Sequence, residues 1–276
     1  MPPEGNQLKM SQEILEEQPN KNMQPQDQEK KNTSTIELPA GVHSNEGSAP
    51  EAVREMPEGG SVVESHYKNN SDRAAILSMA EEFATQSIGA LSSNYAYHCI
   101  EHTKQVVQNA RIIADGILLS NPGTLTEYDE FLMLVAAWFH DVGFKVTYSG
   151  HEMEGCRAAR KLLTGVLSRE DVLRIEGIIM STEIPQNALN LLEHIVCDAD
   201  LFYLGGDQFS LWSNRLREEH CKVLGCEYTD LEWIQYNIDF IRSHAYFTEF
   251  AKARNDAGRD ENLRKLEATR DALLEK

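Results

Sequence analysis

The chain contains no stretch approaching the roughly 20 consecutive apolar residues that a membrane-spanning helix needs. Its opening Met1-Pro2-Pro3-Glu4-Gly5 lacks the apolar core of a secretory signal. A cytoplasmic location, with no membrane partner, is therefore the expectation. Positive charge is also scarce: 26 Lys and Arg stand against 44 Asp and Glu, for a formal net charge of −18. Broad capture of nucleic acid depends on Lys and Arg clusters, so no nucleic-acid partner is expected. A small anionic substrate stays open, provided a metal or a few local cations offset the field. The five cysteines (Cys99, Cys156, Cys197, Cys221 and Cys226) include no Cys-x-x-Cys pair. They read as reduced structural thiols rather than a disulfide or zinc framework. Alternating strand patterns and internal repeats are missing too.

What is present divides into two parts. Residues 1–71 are rich in Gln, Asn, Glu, Lys, Ser, Pro and Gly, with apolar islets only at Ile14-Leu15, Ile36-Glu37-Leu38 and Val62-Val63. Such a stretch buries too little surface to offset the entropy of ordering, so it reads as a disordered polar tail. One islet could serve as a short binding motif for a protein partner. Residues 72–276 carry helical spacing throughout, and the expected fold class is all-α, a compact multi-helix bundle. Ser71-Asp72 is the expected cap of a first helix, and a second is expected over about Tyr97–Leu119. The run Phe131 to Trp138-Phe139 is apolar on every side, as a central buried helix would be, with Gly143 at its stop. Further helices are expected at about Glu152–Leu163, Arg169–Met180, Ala188–Tyr203, Gln208–Leu224, Asp230–Ser243 and Asn262–Leu274.

Three groups of residues accompany the pair His140-Asp141, which follows that apolar run. Buried ionisable groups are costly unless paired or bound to metal. First, His98 and His102 stand four residues apart, which on a helix places them on one face, in step with Val106 and Ile113. Second, Asp198 and Asp200 lie in a largely apolar helical stretch. They point about 200° apart, so one of them faces a shared site, and periodicity does not choose which. Third, His151 and Glu152 follow Gly150 at a helix start, a position suited to an anion.

The order Tyr97-His98-x-x-x-His102-Thr103, then Phe139-His140-Asp141-Val142-Gly143, then Asp198-Ala199-Asp200-Leu201 resembles the HD superfamily of metal-dependent phosphohydrolases. The resemblance covers about His98 to Gly205. It implies that His102, His140, Asp141 and Asp200 bind a divalent metal ion (Mn, Mg, Fe, Co, Ni or Zn). Asp200 is preferred over Asp198 because family sequences often read Ala-Asp-x-Leu there. The first motif also resembles that of the cyclic-nucleotide phosphodiesterases, which implies a general-acid role for His98. Two departures stand out. The cyclic-di-nucleotide branch has extra His residues where this chain reads Ile179-Met180-Ser181-Thr182. The Lys that commonly follows His-Asp-x-Gly is Phe144 here, with Lys145 one place later. The C-terminal part, with Trp233, His244 to Thr248 and Asn262-Leu263, resembles the tails of small bacterial HD proteins.

Imidazole and carboxylate ligands together suit several divalent cations. Such a cation acidifies water and draws charge from a phosphoryl oxygen, while an acid protonates the leaving group. The function implied is a metal-dependent phosphohydrolase or phosphodiesterase acting on a nucleotide or another small phosphate ester. His98 and Asp141 would be catalytic, Lys145 and His151 would bind substrate, and Glu101 and His151 would stand by the metal. The alternatives are a non-catalytic regulatory module that binds a nucleotide or protein partner, and an iron oxygenase, which needs more His ligands.

Overall fold

The computed structural model describes residues 69–275. The polar-tail reading of residues 1–68 lies outside the described residues. The first helix begins slightly earlier than expected, because Asn69 is its cap and accepts a hydrogen bond from the Asp72 amide. Asn70 and Ser71 are therefore helical.

Nine α-helices, and no strand, are found among the described residues. They are α1 (Asn70–Gly89), α2 (Ile100–Ser120), α3 (Glu127–Phe139), α4 (His151–Leu163), α5 (Arg169–Met180), α6 (Leu191–Asp200), α7 (Phe209–Glu219), α8 (Asp230–Ser243) and α9 (Glu249–Leu274). Single 3-10 turns at Val142–Lys145 and Phe202–Gly205 follow α3 and α6, and a π turn, His220–Leu224, ends α7. None of these helices is long and apolar enough to cross a membrane.

Helix α3 is the axis of the larger core. Thr126 caps it through a reciprocal capping box with Asp129, and every residue from Phe131 to Phe139 is buried. It packs on α1, α2, α4, α5 and α6, so its last turn delivers His140-Asp141 into the protein interior. A smaller cluster of Leu201, Leu204, Phe209 and Ile241 joins the second 3-10 turn to α7, α8 and α9.

Several expected boundaries move, each for a local reason. Helix α2 starts at Ile100, not Tyr97, because Cys99 is an extended N-cap and the Tyr97 and His98 amides donate to the Glu219 carboxylate. Gly143 lies inside the 3-10 turn rather than at the stop of α3. Its role is close packing: a Cβ there would fall 1.8 Å from the His151 carbonyl oxygen. Helix α9 starts at Glu249, well before Asn262, because Thr248 caps it and Asp198 holds the Phe247 and Thr248 amides.

Candidate metal centre

Helix α2 contributes His102 on its inward face, the end of α3 contributes His140 and Asp141, and the last turn of α6 contributes Asp200. The ligand atoms of His102, His140 and Asp200 all lie within 4.8 Å of one another. His102 Nε2 stands 3.1 Å from Asp200 Oδ1 and 3.5 Å from Asp141 Oδ2. His140 Nε2 lies 3.1 Å from Asp141 Oδ2 and 3.8 Å from Asp200 Oδ1. The His140 ring is aimed by its other nitrogen, Nδ1, which lies 2.8 Å from the Ala137 carbonyl. With the proton on Nδ1, the Nε2 lone pair faces the cluster.

Two atoms at this centre are buried without a hydrogen bond: His140 Nε2 and Asp141 Oδ2. Leaving such atoms unsatisfied is costly, and a cation between them removes that cost. Electrostatics points the same way. Burial alone would lower the His140 pKa, yet the Asp141 charge, with help from Asp200, pushes it up to about 9. Burial alone would raise the Asp141 pKa, yet His140, His151 and His98 hold it well below the usual carboxylate range. His102, His140 and Asp200 together could hold a metal ion, and two imidazoles with a carboxylate suit a divalent transition cation; Asp141 lies beside them.

Of the two aspartates of α6, Asp200 is the one turned toward the imidazoles. Asp198 is fully buried on another side of the helix. Its carboxylate accepts from the Phe247 amide at 2.7 Å, the Thr248 amide at 2.8 Å and the Thr248 hydroxyl at 2.7 Å. Asp198 thus organises the start of α9.

His98 precedes α2 rather than sitting on it, so the helical i, i+4 argument does not apply. It still reaches the site, with its ring centroid 6.2 Å from that of His102. Its holder is Glu219, which the sequence reading missed. One Glu219 oxygen accepts from the Tyr97 and His98 amides at 2.8 and 2.9 Å. The other is 2.5 Å from His98 Nδ1 and accepts from the Tyr148 hydroxyl at 3.0 Å. Burial works against a charged His98, but the Glu219 charge and hydrogen bond raise its pKa overall. The reciprocal attraction outweighs burial at Glu219 and lowers its pKa. A signal for Glu219 did exist. Phe209, Trp212, Leu216 and Glu219 share helical spacing, so a carboxylate stands in phase with an inward apolar stripe.

His151, the first residue of α4, directs Nε2 at Asp141 Oδ1, 3.6 Å away, and at Glu152 Oε1, 3.4 Å away. Burial raises the Glu152 pKa, against the pull of His151. Lys145 is exposed and makes no ion pair among the described residues, so the structure does not bring it to these groups. Phe144 takes the inward place, stacking on His98 at 3.9 Å and on His151 at 3.7 Å. Glu101 points to solvent and pairs with Arg215. All five cysteines are free thiols.

No family model matches this chain, and no curated protein matches it. Among solved structures it is similar to a structural-genomics target from Lactobacillus plantarum, with a TM-score of 0.54 and 17% sequence identity. The match covers 75% of this chain and 99% of that one. The two share a fold. At that identity the likeness carries no information about activity.

Proposed function

We propose that this protein is an HD-type metal-dependent phosphohydrolase acting on a small phosphate ester, with a nucleotide the leading class of substrate. The observation that carries the reading is the convergence of buried His102, His140 and Asp141 with half-buried Asp200, two of their ligand-type atoms lacking any hydrogen bond, beside a carboxylate-backed imidazole. A divalent cation held there would acidify water and draw charge from a phosphoryl oxygen. Asp141 turns one oxygen toward the two imidazoles and the other toward His151, and on that side it orients the attacking water. His98, with Nδ1 committed to Glu219, presents Nε2 as the proton donor to the leaving oxygen. Phe144 fixes the planes of both flanking imidazoles and keeps water from their faces.

The test is elemental metal analysis of the purified protein beside the His140→Ala, Asp141→Ala double variant, followed by a phosphoester panel with the metal found. Near-stoichiometric metal, lost in the variant, together with metal-dependent product release supports the reading. Metal binding without turnover of any ester would move the assignment to a regulatory module. No metal after reconstitution with Mn, Fe, Co, Ni and Zn would sink the ligand set.

A further inference from the structure

The turn that ends α7 brings two thiols together. Helix α7 stops at Glu219, and the π turn His220–Leu224 that follows carries Cys221. Gly225 comes next with a φ of 69°, a left-handed conformation that glycine adopts without strain, and it reverses the chain. The Gly225 and Cys226 amides then both donate to the His220 carbonyl oxygen, the second at 3.2 Å. That oxygen belongs to the peptide joining His220 to Cys221. Ordinary backbone dimensions therefore keep the Cα atoms of Cys221 and Cys226 within about 7 Å, the reach of a disulfide.

The two side chains also share a neighbour. Burial raises the Tyr228 pKa, and Cys226, by charge and hydrogen bond, and Cys221, by charge, raise it further. Both thiols thus stand within electrostatic reach of one hydroxyl, which His220 Nδ1 approaches to 3.3 Å. The other cysteines are placed differently. Cys156 and Cys197 are buried and donate to the Glu176 and Ser181 carbonyls at 3.4 and 3.1 Å. Burial pushes both of these thiols up to about 12, so neither supplies a thiolate near neutral pH. Cys99 is half-buried at the start of α2. Cys221 is exposed and Cys226 half-buried, so an incoming reagent meets Cys221 first and Cys226 stands behind it.

We propose that Cys221 and Cys226 form a thiol–disulfide exchange site, at which a small disulfide of the glutathione type is reduced and the two cysteines become bridged. The Cys221 thiolate attacks one sulfur of the reagent, the reagent's S–S bond breaks, and one small thiolate leaves. The Cys226 thiolate then attacks the Cys221 sulfur and expels the second. Two cysteine thiols and one small disulfide give one protein disulfide and two small thiols, and two electrons pass to the reagent. The bridge pins the turn directly after Glu219, the residue that holds His98.

The experiment incubates the full chain with oxidised glutathione, caps the remaining thiols with N-ethylmaleimide and digests with trypsin. Trypsin cuts after Arg217, Lys222 and Arg242, so the two cysteines fall in different peptides. Mass spectrometry should find residues 218–222 joined to residues 223–242, two hydrogens lighter than their sum. In Cys226→Ser the reaction should stop with glutathione on Cys221. That adduct should be at least about 10-fold more abundant in the variant than in the wild type, because a thiol tethered beside Cys221 attacks at a high effective concentration. An adduct as abundant on wild-type Cys221 as in the variant would overturn the proposal. So would capping of both cysteines, or Cys221 joined to Cys99 or to a second chain.

Discussion

Replacing Glu219 by Gln should move the alkaline limb of the activity profile to lower pH. In the native site one carboxylate oxygen serves two backbone amides and the other serves His98 Nδ1 and the Tyr148 hydroxyl. A glutamine oxygen can still take the two amides. Its amide NH2 then faces His98 Nδ1, which must become an acceptor, and an imidazolium there is no longer supported. A hydrogen bond to a charged group contributes about 1.5–3 kcal/mol, and one pKa unit corresponds to about 1.36 kcal/mol. His98 should therefore lose its proton about 1–2 units lower in the variant. The sign follows from the proposed role. A proton donor works only while protonated, and the raised pKa of His98 holds activity as pH rises until that value is passed. The same pairing contributes stability that is lost as pH rises through the raised His98 value, or falls through the lowered Glu219 value. The assay is kcat/KM against pH for the metal-loaded wild type and variant, which reports groups of the free enzyme. A variant slowed equally at every pH, with its alkaline limb unmoved, would refute the donor assignment and leave Glu219 as packing alone.

Metal binding at pH 7 should release a proton, because His140, with its pKa pushed up to about 9, must give up its second proton to ligate. Titration calorimetry in buffers of different ionisation enthalpy measures this, and apparent affinity should rise with pH up to about 9. Asp200→Asn should abolish metal binding while melting near the wild-type temperature. Asp198→Ala should keep the metal but lose about 2–4 kcal/mol of stability, since the Phe247 and Thr248 amides and the Thr248 hydroxyl lose a charged acceptor. The reverse pattern in metal content and thermal melts would reverse the assignment. Gly143→Ala should cost about 3 kcal/mol or more, because its Cβ would meet the His151 carbonyl at 1.8 Å and the Gly155 amide nitrogen at 2.8 Å, and backbone cannot step aside cheaply. For a domain of this size that is a fall of roughly 6–12 °C in melting temperature, and an unchanged melt would refute the close-packing account.

The elements that the sequence revealed best are those governed by local chemistry. Helices α5 and α8 open on Ser168 and Thr229, side chains that cap their own following turns, and their bounds match expectation. Expectation failed where a distant group decides the local backbone. Glu219 takes the amides of Tyr97 and His98 from more than 120 residues away, and α2 starts late as a result. Asp198 takes those of Phe247 and Thr248, and α9 starts early. Placement on or beside apolar helical stretches singled out His102, His140-Asp141 and the Asp198/Asp200 pair, but the choice of Asp200 came from the family resemblance and not from periodicity. Glu219 was hidden within Arg217-Glu218-Glu219-His220, which reads as a solvated charge run until its phase with Trp212 is noticed. At the 3-10 turn the structure buries Phe144 and leaves Lys145 exposed.

The protonation pattern of the centre carries its own argument for a cation. Four buried or nearly buried carboxylates, Asp141, Glu152, Asp200 and Glu219, share a small volume in which no Lys or Arg pairs with them among the described residues. Such a group of charges is tolerable only if positive charge is supplied from somewhere. Protons on imidazole supply part of it, which is why His98 and His140 are both pushed upward against a burial effect that runs the other way. At the Glu219 end this arrangement is complete, because each carboxylate oxygen has partners at hydrogen-bonding distance. At the Asp141 end it is not, because His140 Nε2 and Asp141 Oδ2 remain without hydrogen bonds despite their separation of 3.1 Å. A proton therefore suffices for one half of the site, the half assigned to proton donation. The other half leaves two ligand-type atoms without hydrogen bonds, so the proposed division between acid and metal follows which carboxylate finds its hydrogen bonds within the protein.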